Sequence, residues 1–242
     1  MVPTYRFNQW FLVFLDWLFP PVCGGCNRTG CRWCPESQQQ VKPVPEPFCH
    51  VCGLPLSRPG LCKACIDAHP PYEVLRSWVV FEGPIRHALH SLKYRRNVAL
   101  GDTLAQYLAE YVRKLGWQAD LVVPVPLGRQ RMKERGYNQA GLLAKPLSII
   151  QNWNYSPRPI FRVRETRSQV GLSAMERREN LSDAFRADSA RVSGKVILLL
   201  DDVATTGSTL TACSDAFTKA GAKAVYALTL ARALPRHGLQ IV

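Results

Sequence analysis

Four short apolar runs along the chain predict β-strands. Residues 121–126 and 196–200 are almost entirely aliphatic, which is typical of strands buried on both faces of a parallel sheet. The two prolines of the run at 121–126 lie at its end, where a strand tolerates them. Residues 78–81 and 224–230 predict two further strands. These runs predict the interior of a sheet.

Apolar residues at helical spacing lie between these strands. Residues 85–92 and 100–115 each carry one apolar stripe, and residues 210–220 carry a third. Another helix is expected to open near Asn138, with Pro146 kinking or restarting it. Strands that alternate with helices predict an α/β fold, a parallel sheet flanked by helices.

Polar residues with a distinct chemistry follow the strand at 196–200. Asp201 and Asp202 come at its carboxyl end, which is where open α/β sheets bind ligands. Hydroxyl side chains surround Gly207 between residues 205 and 209, just before a helix whose first turn favours anions. The two acids suit hydroxyl donors or a hydrated divalent cation. Together they predict a site for a phosphorylated sugar.

Eight of the nine cysteines form four Cys-x-x-Cys pairs near the N-terminus. This spacing lets both thiolates of a pair bind one tetrahedral ion, so eight thiolates predict two structural zinc sites with no open coordination position. Adjacent pairs can combine, although a crossed arrangement is also open. His50 and His69 are interpreted as exposed loop residues rather than ligands. The candidate ligands are Cys23, Cys26, Cys31, Cys34, Cys49, Cys52, Cys62 and Cys65.

The chain is strongly basic. Lys and Arg number 31 against 18 Asp and Glu, a net charge of +13, which makes a polyanionic partner plausible. Trp33, Tyr137, Trp153 and Tyr155 are candidate stacking surfaces for single-stranded DNA. A solvated charged face is the alternative interpretation. The candidate nucleic-acid contacts are Arg129, Arg131, Lys133, Arg135, Arg164 and Arg167.

A length of 242 residues predicts two domains. We expect a zinc-ribbon-like module with an N-terminal amphipathic segment at residues 1–70 and a larger domain at 71–242. The apolar run at residues 10–15 is too short to span a bilayer and precedes no small-residue cleavage site. The sequence therefore predicts a cytoplasmic protein without a membrane span.

The segment from residue 196 to 210 resembles the signature of the type I phosphoribosyltransferases. The resemblance implies that phosphoribosyl pyrophosphate (PRPP) binds with Mg²⁺ and that Asp201 and Asp202 address its ribose hydroxyls as the candidate catalytic acids. It also implies a pyrophosphate contact at Gly128 and Arg129. The residues expected to hold the 5′-phosphate are Ala204, Thr205, Thr206, Gly207, Ser208 and Thr209.

Further segments resemble the ComF-type competence protein family, in which a zinc module precedes a phosphoribosyltransferase domain. They begin with residues 135–140 (Arg-Gly-Tyr-Asn-Gln-Ala) and 142–144, and end with residues 230–232 (Leu-Ala-Arg). The positions between them are Arg167, Gln169, Leu172, Arg177, Arg178, Asn180, Ala184 and Phe185. The resemblance implies a role in natural competence and DNA uptake, with PRPP and single-stranded DNA bound and other competence proteins as possible partners. The alternative is an active phosphoribosyltransferase whose acceptor the sequence does not identify.

Overall fold

The computed structural model describes residues 20–95, 97–163 and 184–234. The apolar run 10–15, and Arg164 and Arg167 among the predicted nucleic-acid contacts, lie outside these ranges.

A five-stranded parallel sheet forms the centre of the molecule, with the strand order β1-β7-β6-β2-β3. Two short strands, β4 and β5, pair antiparallel beside it. The strands are β1 (Val74–Val80), β2 (Leu121–Pro124), β3 (Asn154–Tyr155), β4 (Ile160–Arg162), β5 (Phe185–Ala187), β6 (Val196–Ala204) and β7 (Ala224–Arg232).

Eight helices lie within the described residues. The sheet carries α3, α4 and α6 on one face and α8 on the other, which confirms the predicted parallel sheet flanked by helices. The helices are α1 (Pro35–Gln39), α2 (Lys63–Asp67), α3 (Gly83–Tyr94), α4 (Ala99–Lys114), α5 (Arg129–Arg135), α6 (Gln139–Gln151), α7 (Ser189–Val192) and α8 (Ser208–Lys219).

Strand β6 is buried on both faces, as its unbroken apolar run predicts. Leu198 and Leu200 pack into the core formed with α3, α4 and α6. Ile197 and Leu199 point to the opposite face and pack with α8. All four are fully buried, because successive side chains of a strand alternate between two covered faces.

The structure changes several of the predicted boundaries. Strand β1 begins at Val74, four residues earlier than predicted, and β7 continues to Arg232. Strand β6 continues through the acid pair to Ala204, so Asp201 and Asp202 belong to the strand rather than follow it. Strand β2 ends at Pro124, two residues earlier than predicted. Helix α6 begins after its Asn138 cap, as expected, but runs through Pro146 without a restart.

Gly101 of α4 packs against the backbone carbonyl that Pro146 of α6 leaves without a donor. Pro146 has no N–H group, so the Leu142 carbonyl one turn earlier loses its usual intrahelical donor. That carbonyl faces α4 at Gly101, where an added Cβ would lie 2.7 Å from the oxygen. The missing side chain of Gly101 thus lets α4 and α6 approach each other closely.

The second half of the cysteine module covers the free edge of β1. The Leu75 N–H donates to the Val51 carbonyl at 2.7 Å, and the Val80 N–H donates to the Lys42 carbonyl at 2.9 Å. Gly53, at φ +66°, leaves no room for a Cβ, which would lie 2.7 Å from the Leu75 oxygen. An edge strand with unpaired backbone groups invites association with other chains, and here the module occupies that edge.

The first half of the module packs onto the helical face. Cys23, Trp33 and Cys34 are buried in the same core as α3 and α4. Nδ1 of His87 lies 2.9 Å from the Gly25 carbonyl oxygen, and the Arg95 guanidinium donates to the Asn27 side-chain oxygen at 2.8 Å. The module therefore shares its core with the larger domain.

Among the described residues, no helix combines the length and the apolarity needed to cross a lipid bilayer.

The contact at Gly101 predicts a stability difference between two glycines. Gly101→Ala should lower the free energy of unfolding by about 1–3 kcal/mol, because its Cβ meets a backbone oxygen that cannot move independently. Gly141→Ala is the matched control, since Gly141 also lies in the first turn of its helix and its Cβ would come no closer than 3.4 Å to any neighbour. Urea denaturation of both variants measures the difference. Equal midpoints for the two would show that α4 and α6 do not need the close approach.

Candidate functional site

An open cleft of about 610 Å³ lies at the carboxyl end of the sheet. Asp201 and Asp202 line it together with Thr205 and Thr209. Residues of α5, of the start of α6 and of the end of α3 also line it. The cleft lies where ligands bind in open α/β sheets, at the carboxyl ends of the strands.

The acid pair is held by a lysine and by its own backbone. Lys93 Nζ, from the last turn of α3, lies 2.5 Å from Asp202 Oδ2. The Asp202 N–H donates to Asp201 Oδ1 at 2.8 Å, and the Val203 N–H donates to Asp202 Oδ1 at 2.9 Å. These contacts hold the two carboxylates in the lining of the cleft.

The negative charge of the Asp201 side chain is unfavourable in this position. Burial, and then the neighbouring charge of Asp202, raise the pKa of Asp201 well above its usual range, while Lys93 lowers it by a smaller amount. A carboxyl group held at an energetic cost in a cleft is typical of a functional group rather than of one that stabilises the fold.

The hydroxyl loop forms a small cup at the start of α8. Gly207 adopts φ +79° directly before the helix, a backbone conformation that favours glycine. The hydroxyls of Thr206 and Ser208 lie 2.8 Å apart and share a hydrogen bond. A cavity of about 20 Å³ lies inside the cup, which is lined by Ala204 and by residues 205–209 together with Asp201. First-turn N–H groups and hydroxyls at one helix start can bind a phosphate.

The predicted pyrophosphate contacts separate in the structure. Gly128 lies in the cleft wall and precedes the first residue of α5. Arg129 is exposed and does not line the cleft, whereas Arg131 and Arg135, on a different face of α5, do. The role of Arg129 in pyrophosphate binding stays a prediction.

The Arg-Gly-Tyr-Asn segment joins α5 and α6 to the rest of the site. Arg135 places its guanidinium 5.2 Å from the centre of the Tyr94 ring. Gly136 ends α5 at φ +79°, and the Tyr137 hydroxyl donates to the Leu92 carbonyl at 2.5 Å. Asn138 donates to the Val125 carbonyl at 2.8 Å and accepts from the Ala140 N–H at 3.1 Å. The segment is thus a structural joint at the cleft wall.

Several cleft residues were missed by the sequence analysis. Lys93 lies in a basic cluster of the sequence, Lys93-Tyr94-Arg95-Arg96, yet its partner Asp202 is distant in sequence. Arg162, with its guanidinium 5.4 Å from the Phe185 ring centre, and Gln139 also line the cleft. Only the basic cluster gave a signal in the sequence, because the other positions depend on how the elements pack.

The four aromatic residues predicted to stack on DNA bases do not form a shared exposed surface. Trp33 is only 7% exposed and packs in the core, so its assignment was wrong. Trp153 and Tyr155 pack against the same core, and Tyr137 bonds the backbone of α3. The exposed aromatic ring at the cleft is Tyr94, which is 63% exposed.

The cysteines form two clusters whose geometry suits zinc. The sulfur atoms of Cys49, Cys52, Cys62 and Cys65 all lie within 4.8 Å of one another. This agrees with the adjacent-pair arrangement and with a tetrahedral ion at about 2.3 Å from each sulfur. His50 and His69 are not part of either cluster among the described residues.

The first cluster brings together three of its four predicted ligands. Cys23, Cys26 and Cys34 lie within 4.8 Å of one another, and Cys31 is not among them. Burial, and then the charges of Cys23 and Cys26, raise the pKa of Cys31. The three gathered thiols are compatible with zinc, and Cys31 is the neighbouring thiol that could complete the site.

Comparison with known proteins agrees with this architecture. The model of the phosphoribosyl transferase domain matches residues 91–238, and that of the double zinc ribbon domain matches residues 14–66. A crystal structure of adenine phosphoribosyltransferase from Thermoanaerobacter pseudethanolicus overlaps weakly. It is 14% identical, covers 57% of this chain and 83% of its own, and has a TM-score of 0.38.

Two curated relatives cover most of the chain. DNA utilization protein YhgH of Salmonella typhimurium is 36% identical over 77% of this chain and 85% of its own. Competence protein F of Haemophilus influenzae is 34% identical over 88% of this chain and 90% of its own. With a double zinc ribbon ahead of a phosphoribosyl transferase domain, this chain belongs to the family of competence protein F and DNA utilization protein YhgH.

Proposed function

We propose that this protein binds PRPP in the cleft and handles single-stranded DNA during DNA uptake. The observation that carries the proposal is that Asp201, Asp202, Thr205 and Thr209 line one cleft, and that Asp201, Thr205 and Thr209 also line the cup formed by the 205–209 loop. A phosphorylated ribose fits both at once, with its hydroxyls on the carboxylates and its 5′-phosphate in the cup. The names of the relatives, DNA utilization and competence, support the cellular role.

The residues of this chain would position the phosphosugar rather than react with it. The carboxylates of Asp201 and Asp202 accept from ribose hydroxyls, and Lys93 offsets their charge. Arg131 and Arg135 lie on the wall that the diphosphate would face. A hydrated Mg²⁺ bound with the diphosphate would supply additional positive charge to that group.

The two cysteine clusters hold structural zinc in this proposal. Cysteine thiolates fill the second cluster, which leaves no open position for chemistry. Zinc would fix the segments that cover β1, so we assign it a role in folding rather than in catalysis.

Helix α5 supports the DNA part of the proposal. Arg129 and Lys133 are exposed and lie four residues apart, so they share one face of the helix outside the cleft. Arg131 and Arg135 share the face that lines the cleft. The helix would thus contact DNA phosphates on one side and the small ligand on the other.

The second candidate function is transfer of the phosphoribosyl group to an acceptor. The cleft extends from the acids to the rings of Phe81 and Tyr94, which leaves a partly apolar space for a planar acceptor. In such a reaction the acceptor would attack the anomeric carbon while pyrophosphate leaves towards α5. Pyrophosphate release in the presence of candidate acceptors distinguishes this function from binding alone.

The acid pair predicts a ligand-dependent thermal shift. PRPP with Mg²⁺ should raise the Tm of the wild-type protein, because a ligand that binds only the folded state stabilises it. The double variant Asp201→Asn with Asp202→Asn should lose most of this shift. Differential scanning fluorimetry measures it, with each variant compared with itself without ligand.

Asp215→Asn is the matched control for this experiment. Asp215 pairs with Lys219 on the exposed side of α8, so the variant removes a carboxylate by the same type of substitution without touching the cleft. It should keep the full ligand shift. If the double variant keeps it as well, the phosphosugar site is assigned to the wrong residues.

The raised pKa of Asp201 predicts that removal of its charge stabilises the free protein. A carboxyl group whose folded-state pKa is raised favours the folded state when protonated, and this contribution is lost as pH rises through the folded-state pKa. Asp201→Asn should therefore have a higher Tm than wild type at pH 7. The gain should shrink as pH falls towards about 4, near the ordinary pKa of aspartate. Thermal melts across this pH range test it, and a lower Tm at pH 7 would contradict it.

Helix α5 predicts a separation of DNA binding from PRPP binding. Arg129→Gln with Lys133→Gln should reduce the slope of log affinity for single-stranded DNA against log salt by about 1.4, or about 0.7 for each lost phosphate contact. The PRPP thermal shift should stay unchanged. Fluorescence anisotropy with a labelled oligonucleotide gives the slope. Arg113→Gln with Lys114→Gln removes the same charge from the exposed end of α4 and should leave the slope as it is.

A further inference from the structure

Arg232 is a buried cation at the end of β7. It is only 3% exposed and closes the Leu-Ala-Arg segment, which the proposed function leaves without a role. Its Nη1 donates to the Cys52 carbonyl at 2.8 Å, while its Nε has no hydrogen-bond partner among the residues that the structure describes. No ion pair joins it to a carboxylate within the same part of the chain. A charge buried in this way needs a counter-charge from another source.

The second cysteine cluster can supply that counter-charge. Cys52 is one of its four thiols, and the guanidinium of Arg232 bonds the backbone of that residue. Four thiolates around one divalent zinc ion carry a net negative charge, which a neighbouring arginine offsets. Arginine keeps its charge at every working pH. A fixed guanidinium beside the cluster therefore stabilises the metal ligands from outside their coordination sphere.

The backbone of Arg232 holds the strand that leads into the cup at residues 205–209. In the parallel pairing of β6 with β7, Arg232 lies opposite Ala204. The next N–H along the chain, that of Ala233, donates to the Ala204 carbonyl at 2.9 Å. Ala204 is the last residue of β6 and lines the cup. Arg232 thus contacts a cluster ligand through its side chain and the entrance of the cup through its backbone.

Two more side chains connect the second half of the cysteine module to the back of the cup. An added Cβ at Gly207 would lie 3.5 Å from the Leu75 side chain and 3.7 Å from the Tyr72 hydroxyl, so both pack behind the turn that precedes α8. Tyr72 and Leu75 are buried. The Leu75 N–H in turn donates to the Val51 carbonyl, which lies between two cluster ligands. The cup therefore rests on residues that the second cluster holds in place.

We propose that Arg232 is a positioning residue that couples the second cysteine cluster to the cup, so that zinc at the cluster raises the affinity of the cup for a phosphate monoester. The inference rests on the proposed function and adds a form of regulation to it. Without the ion the thiolates take up protons, and the buried guanidinium loses its counter-charge. Ala204 then loses a fixed neighbour. A phosphate in the cup should conversely strengthen zinc binding, because coupling between two sites is reciprocal.

Zinc competition with the full wild-type chain tests the coupling without any variant. A chromogenic zinc chelator is titrated against zinc-loaded protein with and without ribose 5-phosphate, a probe that reaches the acids and the cup. One zinc of the chain should become at least about fivefold harder to remove when the probe is bound. A titration without protein corrects for zinc held by the probe itself. Equal zinc affinity with and without the probe, in protein that binds it, would overturn the inference.

Arg232→Met tests the residue itself. The variant removes the charge and keeps an unbranched side chain, so it should weaken zinc binding at the second cluster by roughly 10- to 100-fold. Isothermal titration of the zinc-loaded variant with ribose 5-phosphate should give an affinity at least about fivefold below that of wild type. Arg232→Lys keeps the charge and should recover part of both losses. If Arg232→Met does not fold, the wild-type competition decides the question alone.

Arg76→Met is the matched control. Arg76 also donates to a carbonyl of the second half of the module, that of His50 at 2.9 Å, but it lies opposite Leu228 in the middle of β7, away from the cup. Its affinity for ribose 5-phosphate should stay within about twofold of wild type. An equal loss in Arg76→Met and Arg232→Met would show that the whole module acts through its packing, which would contradict a specific role for Arg232.

Two further outcomes separate the coupling from the proposed function. If wild type binds ribose 5-phosphate and Arg232→Met binds it equally well, the coupling is refuted while the proposed function stands. If wild type binds neither PRPP nor ribose 5-phosphate, the proposed function fails and the coupling fails with it.

Discussion

The burial of β6 on both faces is the constraint on which the rest of the structure depends. A strand enclosed by α8 on one side and by α3, α4 and α6 on the other can carry no charge along its length. Charge can appear only at the rim of the sheet, where the helices no longer cover it. Asp201 and Asp202 lie at that rim. The position of the acids therefore follows from the core beneath them.

The charges around the cleft balance one another only in part. Lys93 compensates Asp202, but Asp201 stays unfavourable through burial and through its neighbour. In the same cleft, the buried side-chain nitrogen of Gln139 has no acceptor within the part of the chain that the structure describes. Asp201 and Gln139 both line this cavity, and they are complementary to a ligand with hydroxyl groups and anionic oxygens. The free protein accepts local instability in the place where a ligand would relieve it.

The sequence predicted the features that depend on local pattern. Residues 196–200 showed a buried strand, and the Cys-x-x-Cys spacing showed metal clusters, because periodicity and short spacings fix such features within a few residues. The ion pair between Lys93 and Asp202, the place of Gln139 and the side on which Arg129 lies depend on how distant elements pack. Cys31 shows the same limit at short range, since its spacing predicts a ligand of the first cluster but its sulfur is not among the three that the structure brings together. Pro146 shows it too, because the Leu142 carbonyl that loses its donor to the proline packs against Gly101 on another helix.

The edge of β1 ties the integrity of the sheet to the redox and metal state of the thiols. Val51 lies between Cys49 and Cys52 of the second cluster, and its carbonyl accepts a hydrogen bond from the Leu75 N–H of the edge strand β1. Oxidation of those sulfurs, or withdrawal of an ion that joins them, would release this cover and leave a row of bare amides facing solvent. Such a row is a template for another chain. Loss of the cluster would thus expose the edge of β1 to pairing with another chain, so an intact cluster would protect the protein from aggregation at that edge.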